Sequence, residues 1–330
     1  MTHFDVFNGD ADGICALLQL RLDAPVDAVL VTGAKRDIAL LARVAAQPGD
    51  AVTVLDVSLA ANRDALVRLL NLGATVRYFD HHYAGEPPVH PGFDAHLDPS
   101  PSVCTGILVD RYLDGRQRLW AIVAAYGDNL NAAGDELAAT LGLTPAQRAA
   151  LRDLGDDLTY NATGDGDADA VVPPADLYRK LRAQRDPFRF IAKDPAYAAI
   201  DGARRRDIEL ARQTKAAHRS RGAAVHILPD APWARRVRGI FGNELANAEP
   251  AIAHAVLTPD GAGRYIVSVR APRAGPRGAD ALCRRFAGGG RQAAAGIEAL
   301  PQARLPEFLQ ELERTYPAVS TSGAVADPPR

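Results

Sequence analysis

Short β-forming runs alternate with helical patterns through the first 80 residues, and this alternation constrains the fold more than any other feature of the chain. Four runs are typical of strands: FDVF (4–7), DAVLVTG (27–33), AVTVLDVS (51–58) and ATVRYFD (74–80). Apolar residues at helical spacing predict helices at 14–22, at 37–46 and around 66–70. Strands and helices that alternate in this way predict βαβ units, and therefore a parallel sheet covered by helices on both faces.

The rest of the chain predicts a helical segment followed by a second, smaller α/β region. Residues 102–154 and 176–222 have helical patterns, and a Gly/Asp/Pro-rich loop at 161–174 separates them. Strands return after position 223 in AVHIL, AIAHAVLT and RYIVSVRA, and the glycine-rich segment 286–297 interrupts this pattern. The predicted units are an α/β domain with a helical extension at 1–200, a helical connector at 201–222, an α/β domain at 223–317 and a disordered tail at 318–330.

Composition narrows the class of protein and of partner. A chain of 330 residues predicts two domains, and 47% apolar with 24% charged residues is typical of a globular protein. The net charge of −2 argues against bulk electrostatic capture of long nucleic acid, although it does not exclude a local basic patch.

Cysteine usage and hydropathy indicate where the protein works. Cys15, Cys104 and Cys283 are odd in number and far apart, so we interpret them as free thiols of a reducing compartment. We expect no secretion signal, because the first residues contain no basic segment followed by an apolar run. No window offers about 18 uninterrupted apolar residues, so we expect no membrane partner and a cytoplasmic location.

Acidic and histidine residues stand where the predicted strands end. They are Asp10 and Asp12 after the first strand, Asp56 after the third, Asp80, His81 and His82 after the fourth, and Asp128 after a helical run. A single Asp at such a position is usually a turn or cap residue. That interpretation does not explain carboxylates at three strand ends together with two histidines. Because the carboxyl ends of parallel strands share one edge, we expect these side chains to converge.

This combination of ligand types favours a metal centre. Carboxylate oxygens with imidazole and no thiolate suit Mn²⁺ or Mg²⁺ better than a structural Zn²⁺. Crowded carboxylates repel each other unless cations neutralise them. Two divalent metals about 3.5–4 Å apart that share a carboxylate are an established device for phosphate-ester hydrolysis. The sequence therefore predicts two such metals and this chemistry.

The same motifs resemble those of a known family. FNGDADG, VLDVS, FDHH and YGDN resemble the four motifs of the DHH phosphoesterase superfamily. GGGRQAAAG (288–296), preceded by YIVSVR (265–270), is similar to the signature of the companion DHHA1 domain, and the resemblance extends to about position 300. The family includes single-strand exonucleases related to RecJ, oligoribonucleases and bisphosphate-nucleotide phosphatases. The resemblance implies that the activity depends on Mn²⁺ and that the site lies in the cleft between a DHH and a DHHA1 domain.

The resemblance implies roles for individual residues. The implied metal ligands are Asp10, Asp12, Asp56, His81 and Asp128, with Asp56 as the bridge. The implied catalytic residues are Asp56, His82, which contacts the scissile phosphate, and Asp80, which orients a histidine. The implied substrate-binding residues are Arg270, Gly288, Gly289, Gly290 and Arg291, where the glycines let backbone N–H groups approach a phosphate.

Two residues depart from the family pattern. Asn8 stands where many relatives carry Asp or His, and a neutral amide would hold one metal less tightly. Arg291 stands where the family usually has histidine. Arginine binds phosphate but cannot act as an acid or base near neutral pH.

We therefore predict a Mn²⁺-dependent hydrolase, with Mg²⁺ as the alternative metal, that cleaves phosphoester bonds in short single-stranded oligonucleotides or small nucleotide phosphates. The alternatives are a RecJ-like single-strand DNA exonuclease, a catalytically weak nucleotide-binding regulator and, less favoured, a pyrophosphate or polyphosphate hydrolase. The sequence leaves open a homodimer, the substrate's identity and the polarity of attack.

Overall fold

A computed structural model of the chain describes residues 1–317, so the tail predicted at 318–330 lies outside the described residues. The chain divides into two compact units, Met1–Arg205 and a second unit from Arg206 onward. No helix among the described residues is both long enough and apolar enough to cross a membrane.

The first unit is built on a five-stranded sheet in which all neighbouring strands are parallel. Its strands are β1 (His3–Asn8), β2 (Val29–Gly33), β3 (Ala51–Leu55), β4 (Thr75–Asp80) and β5 (Phe93–Leu97). The order in the sheet is β2-β1-β3-β4-β5, so the connections reverse direction between β1 and β3. Ligands of such sheets bind beyond the carboxyl ends of the strands at this reversal. The predicted α/β class with a parallel sheet is confirmed, although the short strand β5 was not predicted.

Helices accompany this sheet in the first unit, and the last of them continues past its final residue. They are α1 (Ala11–Asp23), α2 (Leu59–Asn71), α3 (Thr105–Tyr112), α4 (Arg118–Gly127), α5 (Asn131–Thr140), α6 (Pro145–Ala162), α7 (Pro174–Gln184), α8 (Pro187–Lys193) and α9 (Pro195–Arg212). Helices α3 to α9 therefore occupy the predicted helical extension. The connector predicted as helical at 201–222 is helical only as far as Arg212, because the chain then turns into a short strand at His218–Arg219.

One predicted helix is wrong in extent. Residues 37–46 contain only a single 3₁₀ turn at Leu40–Arg43. The side chain of Asn62 on α2 accepts a hydrogen bond from the Leu41 N–H at 3.2 Å and donates one to the Ile38 carbonyl at 2.5 Å. These side-chain bonds take backbone groups that a regular helix would use. Leu40 and Leu41 still pack into the core, which explains the apolar pattern.

Apolar side chains on both faces of the sheet hold the first unit together. On one face, Val6, Val52 and Val54 pack with Leu66 and Leu69 of α2 in a fully buried cluster. On the other face α1 is buried along almost its whole length. Each fully buried aliphatic side chain contributes about 1.5–3 kcal/mol. The ends of β1, β3 and β4 are thus fixed to a rigid core.

The second unit, as far as residue 317, has a six-stranded sheet in the order β10-β11-β9-β8-β7-β6. The strands are β6 (His218–Arg219), β7 (Ala223–Ile227), β8 (Ala253–Pro259), β9 (Arg264–Arg270), β10 (Gly289–Gly290) and β11 (Ala294–Pro301), and the helices are α10 (Pro232–Ala248), α11 (Ala279–Arg284) and α12 (Leu305–Thr315). The β7–β8 pair is parallel, and the other described pairs of this sheet are antiparallel.

The glycine-rich segment 286–297, which interrupts the strand pattern in the sequence, forms a β-hairpin in the structure. Gly289 and Gly290 pair with Gly296 and Ala295 of β11. Gly290 has φ of 137°, and a Cβ there would lie 2.6 Å from the Ala295 Cα. This position therefore requires glycine.

Candidate metal centre

His81 lies at the centre of an acidic cluster at the carboxyl edge of the first sheet. Its Nε2 atom is 3.4 Å from Asp56 Oδ1, 3.8 Å from Asp12 Oδ2 and 3.9 Å from Asp128 Oδ2. Bonds from small divalent cations to N and O ligands are about 2.0–2.2 Å long. Ligand atoms at these separations can share one such cation. The structure thus brings together four of the predicted metal ligands.

The ring of His81 is oriented by a backbone carbonyl. Its Nδ1 is 3.0 Å from the Val103 carbonyl oxygen. Since a carbonyl only accepts, Nδ1 carries the proton and Nε2 presents its lone pair to the carboxylates. This is the arrangement by which metal-binding histidines are usually held.

Asp12 is held by the amino end of helix α3, which none of the sequence motifs connects with the site. Its Oδ2 accepts the Thr105 N–H at 2.8 Å and its Oδ1 accepts the Gly106 N–H at 2.7 Å, both at the start of α3. Free N–H groups and the helix dipole favour a carboxylate there. A Cβ on Gly106 would lie 2.3 Å from the Ala124 Cβ, so glycine permits the close approach of α3 to α4.

Asp56 occupies a strained backbone position directly after β3. Its φ is 56°, in the left-handed region that non-glycine residues seldom adopt. Burial, together with the charges of Asp12 and Asp10, raises the pKa of the Asp56 carboxyl well above its usual range. The crowded negative charge is offset if a cation sits beside this carboxylate.

Asp128 ends helix α4 as its C-cap residue. Burial and the nearby Asp12 charge raise the pKa of Asp128 to about 6. The carboxyl is therefore poised to exchange a proton for a metal near neutral pH.

His82 and Asp80 form a pair beside this cluster. His82 Nδ1 is 2.7 Å from Asp80 Oδ1, and the His82 N–H donates to the same oxygen at 3.1 Å. Asp80 Oδ2 accepts the Leu59 N–H at the start of α2 at 3.2 Å. The hydrogen bond to Asp80 raises the pKa of His82. The imidazole side chain is 46% exposed, so it can meet a ligand from solvent.

Asp10 is paired with Lys35, a residue that none of the sequence motifs contains. Lys35 Nζ lies 2.6 Å from Asp10 Oδ2 and 3.9 Å from Asp128 Oδ1. Burial opposes the charge on Lys35, but Asp10 and Asp128 outweigh it and raise the pKa of the ammonium group. Lys35 follows the end of β2, so its position at a strand end was the one available signal.

Asn8 uses both ends of its side-chain amide inside the protein. Its Oδ1 accepts the Asp10 N–H at 3.1 Å, and its Nδ2 donates to the Lys35 carbonyl at 3.2 Å. The amide therefore ties the end of β1 to the loop that carries Lys35.

The residues fit a divalent metal. The cluster contains four carboxylates, from Asp10, Asp12, Asp56 and Asp128, and one ammonium group, which contacts only Asp10 and Asp128. Asp56, His81 and His82 each offer a ligand atom within 4.8 Å of the others. Such a surplus of negative charge on oxygen and imidazole ligands suits Mn²⁺ or Mg²⁺.

Comparisons with known proteins find the fold through structure alone. No family model and no curated protein matches the sequence. A solved structure described as a DHH-domain member of a family of ribosomal proteins matches with a TM-score of 0.65, 14% identity and coverage of 95% of this chain and 86% of its own. The chain has the DHH-domain fold. The predicted resemblance is thereby confirmed at the level of the fold.

Two further solved structures share the DHH fold. RecJ in complex with Mn²⁺ from Thermus thermophilus matches with a TM-score of 0.60 and 19% identity over 95% of this chain, which spans about half (51%) of that RecJ. The pGpG-specific phosphodiesterase PggH from Vibrio cholerae matches with a TM-score of 0.54 and 14% identity over 94% of this chain and 99% of its own.

The residues predicted to bind substrate lie in the second unit. Arg270 ends β9 and donates to Asn243 Oδ1 at 2.6 Å, Ser268 Oγ at 2.8 Å and the carbonyls of Val269 and Gly239 at 3.1 and 3.2 Å. These acceptors are all neutral. Burial lowers the pKa of Arg270, which indicates a poorly solvated cation.

The glycines and Arg291 belong to the β10–β11 hairpin of this DHH-fold protein. Gly289 and Gly290 are exposed and Gly288 is partly buried. Arg291 is exposed beside them, and its backbone N–H donates to the Ala294 carbonyl at 2.8 Å. Within residues 1–317 its side chain makes no ion pair, so it is accessible to an anion.

Proposed function

We propose that this protein hydrolyses phosphoester bonds in short oligonucleotides or small nucleotide phosphates with the help of a bound divalent metal, most readily Mn²⁺. One observation carries the proposal, namely the convergence of Asp12, Asp56 and Asp128 on the Nε2 lone pair of His81. The fold shared with metal-containing RecJ and with PggH supports it.

Asp12, Asp56, His81 and Asp128 would hold the metal. Bound there, a divalent metal would acidify water and neutralise charge on the phosphoryl oxygens. The protein fixes these ligands before substrate arrives, because α3 holds Asp12 and the Val103 carbonyl holds His81. Preorganised ligands of this kind reduce the reorganisation needed during the reaction.

His82 would contact the scissile phosphate. Its Nδ1 is bound to Asp80, which leaves Nε2 for a ligand and favours the protonated imidazole. A charged imidazole donates a hydrogen bond to a phosphoryl oxygen and can pass a proton to the leaving oxygen. Asp80 acts through His82 and is a positioning residue.

Arg270, Arg291 and the glycines at 288–290 would bind the substrate's phosphates. The neutral surroundings of the Arg270 guanidinium favour an anion as its missing partner, since buried charges are normally paired. The exposed Arg291 offers a bidentate contact.

Short substrates fit the overall charge better than long ones. Long nucleic acids reward many Lys and Arg contacts, and the chain has a net charge of −2. The free, buried thiols of Cys15, Cys104 and Cys283 agree with the predicted reducing compartment, and we propose a cytoplasmic setting.

The test is a parallel assay in Mn²⁺ of a 5′-labelled RNA dinucleotide, a nucleoside bisphosphate and a single-stranded DNA of some tens of nucleotides, with EDTA as control. We expect cleavage of one of the two small substrates and no shortening of the long strand. Progressive shortening of the DNA would instead support the RecJ-like exonuclease.

A second candidate is a nucleotide-binding regulator with weak turnover. The Lys35–Asp10 pair favours it, because an ammonium in the cluster reduces the negative charge available to metals. This candidate predicts tight nucleotide binding with no product in Mn²⁺.

A further inference from the structure

Hydrogen bonds to both its N–H and its carbonyl hold the backbone of Lys35 beside the end of the sheet. The Lys35 N–H donates to the Ala162 carbonyl at 2.9 Å, and the Lys35 carbonyl accepts from Asn8 Nδ2 at 3.2 Å. Because β2 lies beside β1 in the sheet, this loop runs next to the end of β1 and reaches Asp10. The ammonium group therefore reaches the acidic cluster from a held backbone.

The ammonium group of Lys35 pairs with Asp10, a carboxylate that has no ion pair with His81 among the described residues. It lies 2.6 Å from Asp10 Oδ2 and 3.9 Å from Asp128 Oδ1. His81 contacts Asp12, Asp56 and Asp128, whereas no ion pair joins His81 to Asp10 among the described residues. The acidic residues are thus shared between two cationic positions, one beside His81 and one at Lys35.

Few ligand atoms remain for a second metal at the Lys35 position. Asp10 Oδ1 accepts the N–H groups of Asp12 and Gly13 at 3.1 and 3.2 Å, and its Oδ2 pairs with Lys35. Asn8 is neutral, and its oxygen accepts the Asp10 N–H. A divalent ion placed there would lie within a few ångström of the Lys35 ammonium, and the two positive charges would repel each other.

We propose that Lys35 takes the place of the second divalent cation, so that the centre holds one metal, bound by Asp12, Asp56, His81 and Asp128. This inference rests on the proposed function, since it deepens the same site. It also gives Asn8 a definite role: the amide positions the Lys35 loop and leaves Asp10 to the ammonium group. The neutral residue at position 8 and the lysine at position 35 are thus linked, because the Asn8 amide holds the backbone from which Lys35 reaches Asp10.

The charge of Lys35 has a consequence for the substrate. Its side chain is 39% exposed, and only one of its donors is needed for Asp10. The remaining donors can bind a phosphoryl oxygen that a second metal would otherwise bind. Lysine is a compact point charge suited to this task.

The test counts metal ions without measuring turnover. EDTA-treated, full-length protein is titrated with Mn²⁺, and the free ion is followed by electron paramagnetic resonance. We expect one tightly bound Mn²⁺ per chain, with the spectrum of an isolated ion rather than of a spin-coupled pair.

The variants are Lys35→Met, which removes the charge at similar length, and Lys35→Met combined with Asn8→Asp, which adds a carboxylate. We expect the double variant to bind two ions and to show spin coupling. Lys193→Met is the matched control, because Lys193 is exposed on α8, and it should bind one ion. Thermal melting verifies that each variant is folded.

Two tightly bound, coupled ions in the unmodified protein would overturn this inference and leave the proposed function intact. One ion in a folded double variant would refute the claim that Lys35 excludes the second metal. Absence of any tight site in the unmodified protein would overturn both the inference and the proposed function. The count in the unmodified protein decides the matter even if a variant fails to fold.

Discussion

The Nε2 atom of His81, just past β4, lies 3.4 Å from Oδ1 of Asp56, just past the neighbouring strand β3. The two residues are far apart in sequence, and the parallel pairing of β3 with β4 brings them together at the carboxyl edge of the sheet. The pair is completed by Asp12 and Asp128, which also lie within 4 Å of His81 Nε2. This relationship makes a metal centre the natural interpretation of the strand ends.

Replacing Asp56 should remove activity without harming the fold. Asp56→Asn keeps the shape and tolerates the left-handed backbone at φ of 56°, since asparagine adopts that region readily. We expect turnover to fall at least about 100-fold, equivalent to about 2.7 kcal/mol in transition-state stabilisation. Without metal, the variant should melt at or above the unmodified protein, because a buried carboxyl whose pKa is raised is removed.

Asp64→Asn is the matched control for this change, as Asp64 is exposed on α2. It should leave both turnover and melting unchanged. Activity of Asp56→Asn close to that of the unmodified protein would refute the role of Asp56 as a ligand.

Substitutions of the two adjacent histidines should have different effects on Mn²⁺ binding. His81→Gln removes the Nε2 ligand, so we expect weaker Mn²⁺ binding by calorimetry and little turnover. His82→Gln should bind Mn²⁺ normally and lose turnover, because His82 is bound to Asp80 and serves the substrate. Equal loss of Mn²⁺ binding in both variants would show that the roles are not separate.

The metal-free protein should lose stability as the pH rises from about 4 through about 6. Burial raises the pKa of Asp128 to about 6 from 3.8, so in this window the folded state binds more protons than the unfolded state. Stability therefore falls with rising pH and reaches its lower level above the folded pKa. Thermal melts in EDTA across this range measure the slope.

Asp128→Asn should flatten that slope, since the titrating carboxyl is gone. Mn²⁺ affinity of the unmodified protein should rise through the same window, because protons and metal compete for the carboxylate. An affinity for Mn²⁺ that is independent of pH would contradict a role for Asp128 as ligand.

A methyl group at Gly106 should disturb both packing and the metal ligand. Its Cβ would lie 2.3 Å from the Ala124 Cβ and 3.2 Å from Asp12 Oδ1. We expect Gly106→Ala to cost about 1–3 kcal/mol in the free energy of unfolding and to weaken Mn²⁺ binding as α3 shifts. Gly166→Ala is the control, because a Cβ there meets no atom within 4 Å. Unaltered Mn²⁺ binding in Gly106→Ala would mean that the amino end of α3 does not position Asp12.

Arg270 should affect substrate binding and not metal binding. We expect Arg270→Gln to raise KM at least about 10-fold, equivalent to about 1.4 kcal/mol, with the Mn²⁺ count unchanged. Arg264→Gln on the same strand is the control, because Arg264 is exposed and pairs with Asp260. Arg291→Ala should also raise KM. An unchanged KM in both Arg270→Gln and Arg291→Ala would show that these two residues of the second unit do not bind the substrate.

The sequence was sufficient to predict the convergence of Asp12, Asp56 and His81, because each follows a predicted strand of a parallel sheet. Strand order was not predictable from these patterns, and it is strand order that brings Lys35 to Asp10. A lysine after a strand, as in GAKRD, is ordinarily exposed to solvent, so the sequence did not indicate that Lys35 belongs to the acidic cluster.

Hydrogen bonds between side chains and distant backbone groups were also not predictable from sequence patterns. Thr105 and Gly106 reach Asp12 through their N–H groups, which every residue except proline possesses, across a separation of more than 90 residues. The shortened helix at 37–46 depends on the side chain of Asn62, which lies on a different element. In both cases tertiary contacts decide what local spacing cannot.

The most direct test is hydrolysis of a 5′-labelled RNA dinucleotide by EDTA-treated protein as Mn²⁺ is added, with Asp56→Asn assayed alongside. We expect no product before Mn²⁺ is added, product from the unmodified protein once the metal site fills, and none from Asp56→Asn. An intact dinucleotide and an intact nucleoside bisphosphate in the presence of metal-bound, folded protein would contradict metal-dependent hydrolysis of short phosphoesters.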